Sequence, residues 1–349
     1  MGGNGGERPK MNPAKTALNV IGKPVGAVTN ALNRPSAAGR NRPLYGLNLI
    51  DALRGDTLED AVRDRVVLIT GASSGIGAAT AAKIGAAHGE VVLVARGRER
   101  LEETAEQVEI AGGLAHVYPC DLADLDAIAD MATRVEADLG HIDILVNNAG
   151  RSIRRSLELS YDRMHDYQRT MQLNYFAPVR LMLSVLPGMR ARGFGTIVNV
   201  SSIGVLARVP RFGAYIASKA ALDTLCDAWQ AETHSDDVRF STVHMSLVRT
   251  PMIKATTIYD RFPVLTPDDA ADVLCEAIRH RPRRVSPPFG QIAAFADAMS
   301  PRIMDRVRNQ GFLLFRDSAA ARGQKPAKDD AEVSAQGRVF AEVTRGVHW

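Results

Sequence analysis

Tyr215 and Lys219 stand four residues apart in Y-I-A-S-K. On a helix that spacing puts both side chains on one face, with the ammonium beside the phenol. A phenol with a reference pKa of about 10 is a poor acid near neutrality. A neighbouring cation favours phenolate and lowers that value, which would make Tyr215 a usable proton donor and acceptor. The spacing alone arises often by chance, so its surroundings matter. Ser202, thirteen residues earlier, closes the strand-like I-V-N-V-S-S and is placed to hydrogen-bond a substrate carbonyl. Asn174 lies in the apolar stretch M-Q-L-N-Y-F, where a buried amide is costly unless it finds a partner.

A second group of residues suits an anion. T-G-A-S-S-G-I-G at Thr70–Gly77 follows an apolar run and opens a helical pattern. In that setting Gly71 permits a tight turn, Gly75 lets backbone N–H groups approach a pyrophosphate, and Gly77 allows close helix packing. The end of the next apolar run should choose the cofactor. A carboxylate there would bind both ribose hydroxyls of NAD, but Ala95 is followed by Arg96 and Arg98, with no acid before Glu99. A guanidinium suits a 2′-phosphate, and Ser74 could add a hydroxyl, so NADP(H) is the expected cofactor.

These residues need a scaffold. Apolar runs rich in β-branched residues occur at Val66–Thr70, Val91–Ala95, Ala115–Cys120, Ile142–Asn147, Thr196–Val200 and Arg239–His244. Helical patterns lie between them, such as Gly77–His88 and Asp124–Leu139, the latter opening on a residue able to cap a helix. A helix at Pro267–His280 and a short Arg284–Val285 segment would complete the series. Strands separated by helices need crossovers, hence a doubly wound, mostly parallel sheet of about seven strands with helices on both faces.

Three segments are expected: a basic N-terminal arm at 1–60, a catalytic domain at 61–287 and a C-terminal tail at 288–349. From Arg8 through Ile50 there are seven Lys or Arg and no acid, with Leu18, Ile21, Val25, Val28 and Leu32 at helical spacing. Such an arm could rest on anionic lipid or pack on its own domain or a partner subunit. The tail suggests one or two amphipathic helices in Phe289–Phe315, a flexible linker at Ser318–Ala335 and a last helix at Val333–Thr344. Charged residues at 23% and hydrophobic ones at 46% are ordinary for a globular protein, which argues against disorder. No run approaches the ~18 uncharged apolar residues of a membrane-spanning helix, and Lys23 and Pro24 break the only apolar stretch near the N-terminus. Cys120, Cys226 and Cys275 are widely spaced, and the histidines show no metal spacing. That points to buried thiols in a reducing, cytoplasmic setting with no metal site. A net charge of +4 admits acidic ligands without indicating nucleic acid.

Taken together, T-G-A-S-S-G-I-G, C-D-L at Cys120–Leu122, N-N-A-G at Asn147–Gly150, Asn174, Ser202 and Y-x-x-x-K resemble the short-chain dehydrogenase/reductase superfamily over roughly Arg65–Val285. The resemblance implies a Rossmann-like fold and an Asn174–Ser202–Tyr215–Lys219 catalytic tetrad, with Asn174 positioning a water and Lys219 also holding the nicotinamide ribose. It implies cofactor contacts from Gly71, Ser73, Ser74, Gly75, Ile76, Gly77, Arg96, Asp121, Leu122, Asn148, Ala149, Gly150, Tyr215, Lys219, Val248 and Thr250. Asp121 would meet the adenine and Asn148 would support the ribose region. It also implies a homo-oligomer, dimer or tetramer. Met245-Ser246 replaces the family's usual Pro-Gly, which puts the shape of one pocket wall in question.

A narrower resemblance, to bacterial fatty acyl-CoA reductases of this superfamily, rests on N-N-A-G-R-S-I-R-R-S, D-R-M-H-D-Y-Q-R-T-M-Q-L-N-Y, L-V-R-T-P-M-I-K-A-T-T-I-Y-D and the terminal His348-Trp349. It implies NADPH-dependent reduction of a long-chain acyl-CoA to the aldehyde. The phosphates of CoA would need a basic mouth, for which Arg151, Arg154, Arg155 and Arg211 are candidates; solvated or internally paired arginine is the alternative. The Met252–Pro263 loop and the Phe289–Phe315 tail could line an acyl groove, or the tail could simply be core or dimer surface. The competing readings are an NADPH carbonyl reductase or alcohol dehydrogenase for a lipid aldehyde, ketone or steroid, and a non-catalytic NADPH-binding scaffold.

Overall fold

Near-continuous apolar strands can be buried on both faces, and this chain uses them so. The computed structural model describes residues 57–253, 264–315, 317–319 and 321–324. The arm through residue 56, most of the 252–263 loop and the final helix expected at 333–344 lie outside the described residues. Seven strands, β1 (Val66–Thr70), β2 (Glu90–Ala95), β3 (Leu114–Pro119), β4 (Ile144–Asn147), β5 (Gly195–Ser202), β6 (Val238–Met245) and β7 (Arg284–Val285), form one sheet in the order β3-β2-β1-β4-β5-β6-β7. Every neighbouring pair is parallel. Chain order reverses between β1 and β4, and this crossover opens a crevice at the C-terminal strand ends.

The period-2 alternation sorts each strand between two apolar layers. Val67 and Ile69 of β1, with Val91 and Leu93 of β2, join one layer. That layer also takes in residues of α2 (Gly75–Ala86), α3 (Arg98–Ile110) and α9 (Pro267–His280). Val66, Leu68, Val92 and Val94 join the other, with α4 (Leu125–Leu139), α6 (Ala177–Arg192) and α8 (Gly213–Thr233). The caps act where the residue types suggest: Asp124 Oδ1 accepts the N–H groups of Asp126 at 3.0 Å and Ala127 at 3.1 Å at the start of α4. Thr266 and Asp269 form a reciprocal capping box at the start of α9. Lys83 ties α2 to α9 through Asp268 at 2.8 Å and Asp272 at 2.9 Å.

Three local expectations change. The fourth strand starts at Ile144, two residues later than its apolar run, and the Asp143 carboxylate before it takes the Val66 N–H at 3.1 Å. Leu58–Val62 is already a helix, α1, capped by Thr57 and packed into the first layer, so folded structure begins before residue 61. The linker expected from Ser318 is anchored where it is described: Ala319 and Ala321 are buried and the Arg322 N–H bonds the Ser318 carbonyl at 3.2 Å. The tail does form two helices, α10 (Pro288–Met299) and α11 (Pro301–Leu314). With Phe315 they close a third apolar cluster of Ile203, at the start of the short helix α7 (Ile203–Ala207), Val209, Phe212, Tyr215 and Leu247.

Candidate active site

The glycine loop is built for close approach. Gly71 has φ +68°, and a Cβ on Gly77 would lie 2.4 Å from the Gly71 carbonyl and 2.7 Å from Asn148 Nδ2. Ser74 precedes α2 with extended backbone and makes no side-chain cap, and no acid stands in the helix's first turn. The positive helix end and the Ser74 hydroxyl are therefore not committed to the helix's own carboxylates or cap. Asn148 braces the turn, donating Nδ2 to the carbonyls of Thr70 at 2.9 Å and Gly71 at 3.3 Å. Thr70 completes the brace: its hydroxyl accepts the N–H groups of Asn148 at 3.0 Å and Ala149 at 3.1 Å and donates to the Val146 carbonyl at 3.3 Å.

A cleft of about 1110 Å³ opens over this loop. Its floor brings together Gly71, Ser73, Ser74, Gly75 and Ile76 with Asn148, Ala149 and Gly150. Arg96, Asp121 and Leu122 stand along one side, and Val248, Thr250, Met245 and Ser246 along the other. Gly77 lies beneath the loop. The donor-rich floor and the glycine cradle fit a nicotinamide dinucleotide, with Arg96 exposed at the end of β2.

The tetrad residues converge at the same crevice. Tyr215 and Lys219 of α8 line the cleft, whereas Ser202 and Asn174 stand behind it, both almost fully buried. Ser202 shares a hydrogen bond with the Tyr215 phenol. Lys219 Nζ donates to the Val200 carbonyl at 2.7 Å. Asn174 sits in a π-helical turn, Gln172–Phe176, between α5 (Met164–Met171) and α6. Its amide is satisfied on every side: Oδ1 accepts the Arg151 N–H at 2.8 Å, and Nδ2 donates to the Arg151 carbonyl at 2.9 Å and to Ser218 Oγ at 3.0 Å. A Cβ on Gly150 would lie 3.3 Å from Asn174 Oδ1 and 3.4 Å from Lys219 Nζ, so both groups press on the same backbone.

The electrostatics correct one expectation. The phenol of Tyr215 is not lowered: burial pushes it up to about 12, with the Ser202 hydrogen bond opposing. Burial also pushes the Lys219 ammonium down to about 8, with the Asp223 carboxylate opposing. Desolvation disfavours the charged form of each; the Asp223 carboxylate adds to it at the phenol and opposes it at the ammonium. Near pH 7 this leaves a neutral tyrosine beside a mostly protonated lysine, the states a proton donor and its supporting cation require.

The four arginines proposed for the mouth divide. Arg151 is exposed and lines the cleft. Arg154 is half-buried and lies within electrostatic reach of Arg211. Arg155 is taken up internally, 3.3 Å from the Asp166 carboxylate and donating to the Ala321 carbonyl at 2.6 Å. The Arg211 side chain is only 7% exposed, paired with Asp317 at 3.3 Å and stacked 4.0 Å from the Phe312 ring. These two hold the C-terminal segment against the site. The three cysteines are buried and free; Cys120 lines the cleft, whereas Cys226 accepts from Asn199 Nδ2 at 3.2 Å.

Sequence reasoning missed a buried polar group behind the tetrad. The Asp223 carboxylate accepts from Ser201 Oγ at 2.8 Å and lies 3.1 Å from His244 Nε2, while His244 Nδ1 lies 2.7 Å from Ser286 Oγ. One signal was available: Asp223 follows Lys219 by four residues, on the same helix face as Tyr215 and Lys219.

A doubly wound sheet with a dinucleotide cradle and a tyrosine–lysine pair at one crevice defines an oxidoreductase of the Rossmann-like type. The chain belongs to the short chain dehydrogenase family, whose profile matches residues 65–259. An uncharacterized oxidoreductase of Mycobacterium tuberculosis is 64% identical over 95% of this chain and 98% of its own length. A fatty acyl-CoA reductase of Acinetobacter baylyi is 46% identical over 82% of this chain and 96% of its own. Among solved structures, a metagenomic short-chain oxidoreductase in complex with NADP is 34% identical, with a TM-score of 0.56, over 65% of this chain and 99% of that one. No described helix is long and apolar enough to cross a membrane.

Proposed function

We propose that the protein reduces a long-chain fatty acyl-CoA to the fatty aldehyde, with NADPH as reductant and release of CoA. The observation that carries this reading is the 46% identity with the Acinetobacter baylyi fatty acyl-CoA reductase over nearly all of that protein. Two features of the site support it. The tyrosine belongs to an apolar cluster with Ile203, Val209, Phe212, Leu247 and Phe315, a suitable neighbourhood for an acyl chain. Arg151 lines the cleft and is assigned to the CoA phosphates, whereas Arg155 and Arg211 are assigned to holding the C-terminal helices. Arg96 is assigned to the 2′-phosphate that distinguishes NADPH from NADH.

A dinucleotide held by the 71–76 loop, Asn148 and Lys219 would supply the hydride for the thioester carbonyl carbon. Tyr215 hydrogen-bonds the carbonyl oxygen, stabilises the negative charge that develops there and can donate its proton to it, while Ser202 supports the phenol from behind the cleft. Lys219 keeps positive charge beside the phenol, and Asn174 holds the backbone of Arg151 and the turn behind the site. The resulting hemithioacetal collapses with loss of the CoA thiol, leaving the aldehyde. The buried cysteines take no part.

The test is NADPH oxidation with palmitoyl-CoA and with hexadecanal, followed by absorbance with detection of released thiol, in wild type and Tyr215→Phe. Thioester turnover with stoichiometric thiol and aldehyde, reduced at least ~100-fold in the variant, is expected. Turnover of hexadecanal alone would refute the acyl-CoA reading and favour an aldehyde reductase.

A further inference from the structure

Three residues of α8 face the end of β5 in succession. Tyr215 shares a hydrogen bond with Ser202, Lys219 donates to the Val200 carbonyl, and Asp223 accepts from Ser201. The first two belong to the tetrad; the third has no part in the chemistry proposed above. Asp223 is nevertheless placed at the same spacing as its predecessors, with its side chain only 13% exposed. Its Oδ2 meets both Ser201 and His244, and its Oδ1 has no hydrogen-bond partner among the described residues. A carboxylate buried in this way is costly unless a cation lies near, and one helical turn back stands the buried ammonium of Lys219.

The sheet supplies the rest of the arrangement. Ser201 of β5 and His244 of β6 are register partners, so both reach Asp223 from adjacent strands. His244 continues to Ser286, immediately after β7 and two residues before α10. The chain of bonds thus spans the C-terminal ends of β5 and β6 to the segment after β7, and ends where the C-terminal helices that cover Tyr215 begin.

We propose that Asp223, clamped by Ser201 and His244, is a positioning residue for the Tyr215–Lys219 pair, keeping Lys219 charged and seated against β5 while fastening the C-terminal helices to the same point. This rests on the reading of Tyr215 and Lys219 as the working pair. The direction of the Lys219 shift agrees: burial pushes the ammonium down and Asp223 opposes it. The other ionisable groups around Asp223 are few. Tyr215 precedes it on its own helix, where the Asp223 charge adds to the rise of the phenol; Cys226 and Asp227 follow, and His244 faces it from β6. Arg283 and Arg284 approach from the β7 side, where both pair with Asp227. The nearest β5 residues, Ser201 and Ser202, carry no charge.

The experiment is the pH profile of kcat for NADPH-dependent reduction of palmitoyl-CoA in wild type, Asp223→Asn and Asp223→Glu, with thermal unfolding of each. Loss of the carboxylate leaves burial unopposed, so the alkaline limb in Asp223→Asn should move to lower pH by about 1 unit, roughly a tenfold loss on that side. Asp223→Glu should bring the limb back. Should Asp223→Asn not accumulate as folded protein, Asp223→Ser removes the same charge and is read the same way. A limb that stays in place, or one displaced equally in Asp223→Glu, would make the network a packing device only and overturn the proposal. Absence of wild-type turnover with both palmitoyl-CoA and hexadecanal would instead count against the tetrad reading itself.

Discussion

Thr70 offers a test of what holds the dinucleotide loop in shape. It is buried at the end of β1 and its hydroxyl makes three hydrogen bonds to residues nearly eighty positions away. Thr70→Val keeps the shape and removes the hydroxyl. The Asn148 N–H retains a second acceptor in the Val146 carbonyl at 3.0 Å. The Ala149 N–H, bonded to Thr70 Oγ1 at 3.1 Å, loses that acceptor. One part-buried donor left unsatisfied costs about 1–3 kcal/mol. For a domain of this size that lowers Tm by about 2–4 °C for each kcal/mol. Because Asn148 also ties down the carbonyls of Thr70 and Gly71, the NADPH affinity should fall as well. Thr70→Ser, which keeps the hydroxyl and loses only the methyl, should retain most of both. Urea denaturation and fluorescence titration with NADPH would measure the two effects. If the serine variant falls as far as the valine variant, the methyl packing dominates and the hydrogen-bond argument is wrong.

Three further outcomes are expected. Gly77→Ala places a methyl 2.4 Å from the Gly71 carbonyl, so it should cost about 1–3 kcal/mol of stability and raise the NADPH Kd by at least ~10-fold; an unchanged titration would contradict the close-approach argument. The lowered Lys219 ammonium predicts a pH dependence for the ligand-free protein. Between about pH 8 and its ordinary value of 10.5 the unfolded chain holds a proton that the folded chain has lost, so this group makes stability rise with pH across that window. Tyr215, pushed up to about 12, acts in the opposite direction once the pH passes 10, so pH 8 and pH 9.5 are the points to compare. Urea denaturation of wild type and Lys219→Met should show a gap that changes between them, and a constant gap would show that the lysine is not shifted. Arg211→Ala removes the ion pair to Asp317 and the stack on Phe312, and should destabilise by about 3 kcal/mol while exposing the C-terminal helices to trypsin; unchanged cleavage would mean that the apolar cluster alone holds them.

Much of the site was legible in the chain because it depends on short-range spacing. Positive φ and close packing select glycine at Gly71 and Gly77 whatever surrounds them, and four-residue spacing puts Tyr215 and Lys219 on one helix face in any fold. The parallel sheet was equally readable, since apolar strands alternating with capped helices leave few other ways to bury both faces. Tertiary structure alone decided the rest. Strand register puts His244 opposite Ser201, and the return of the chain after β7 brings Ser286 to them. The C-terminal segment turns Arg155 and Arg211 into internal clamps, although their position after N-N-A-G and before Tyr215 looked suited to a phosphate. The phenol's shift was misread from sequence for the same reason: a neighbouring cation is visible in Y-x-x-x-K, but desolvation is the sum of everything packed around the ring, and that sum exists only in the folded chain.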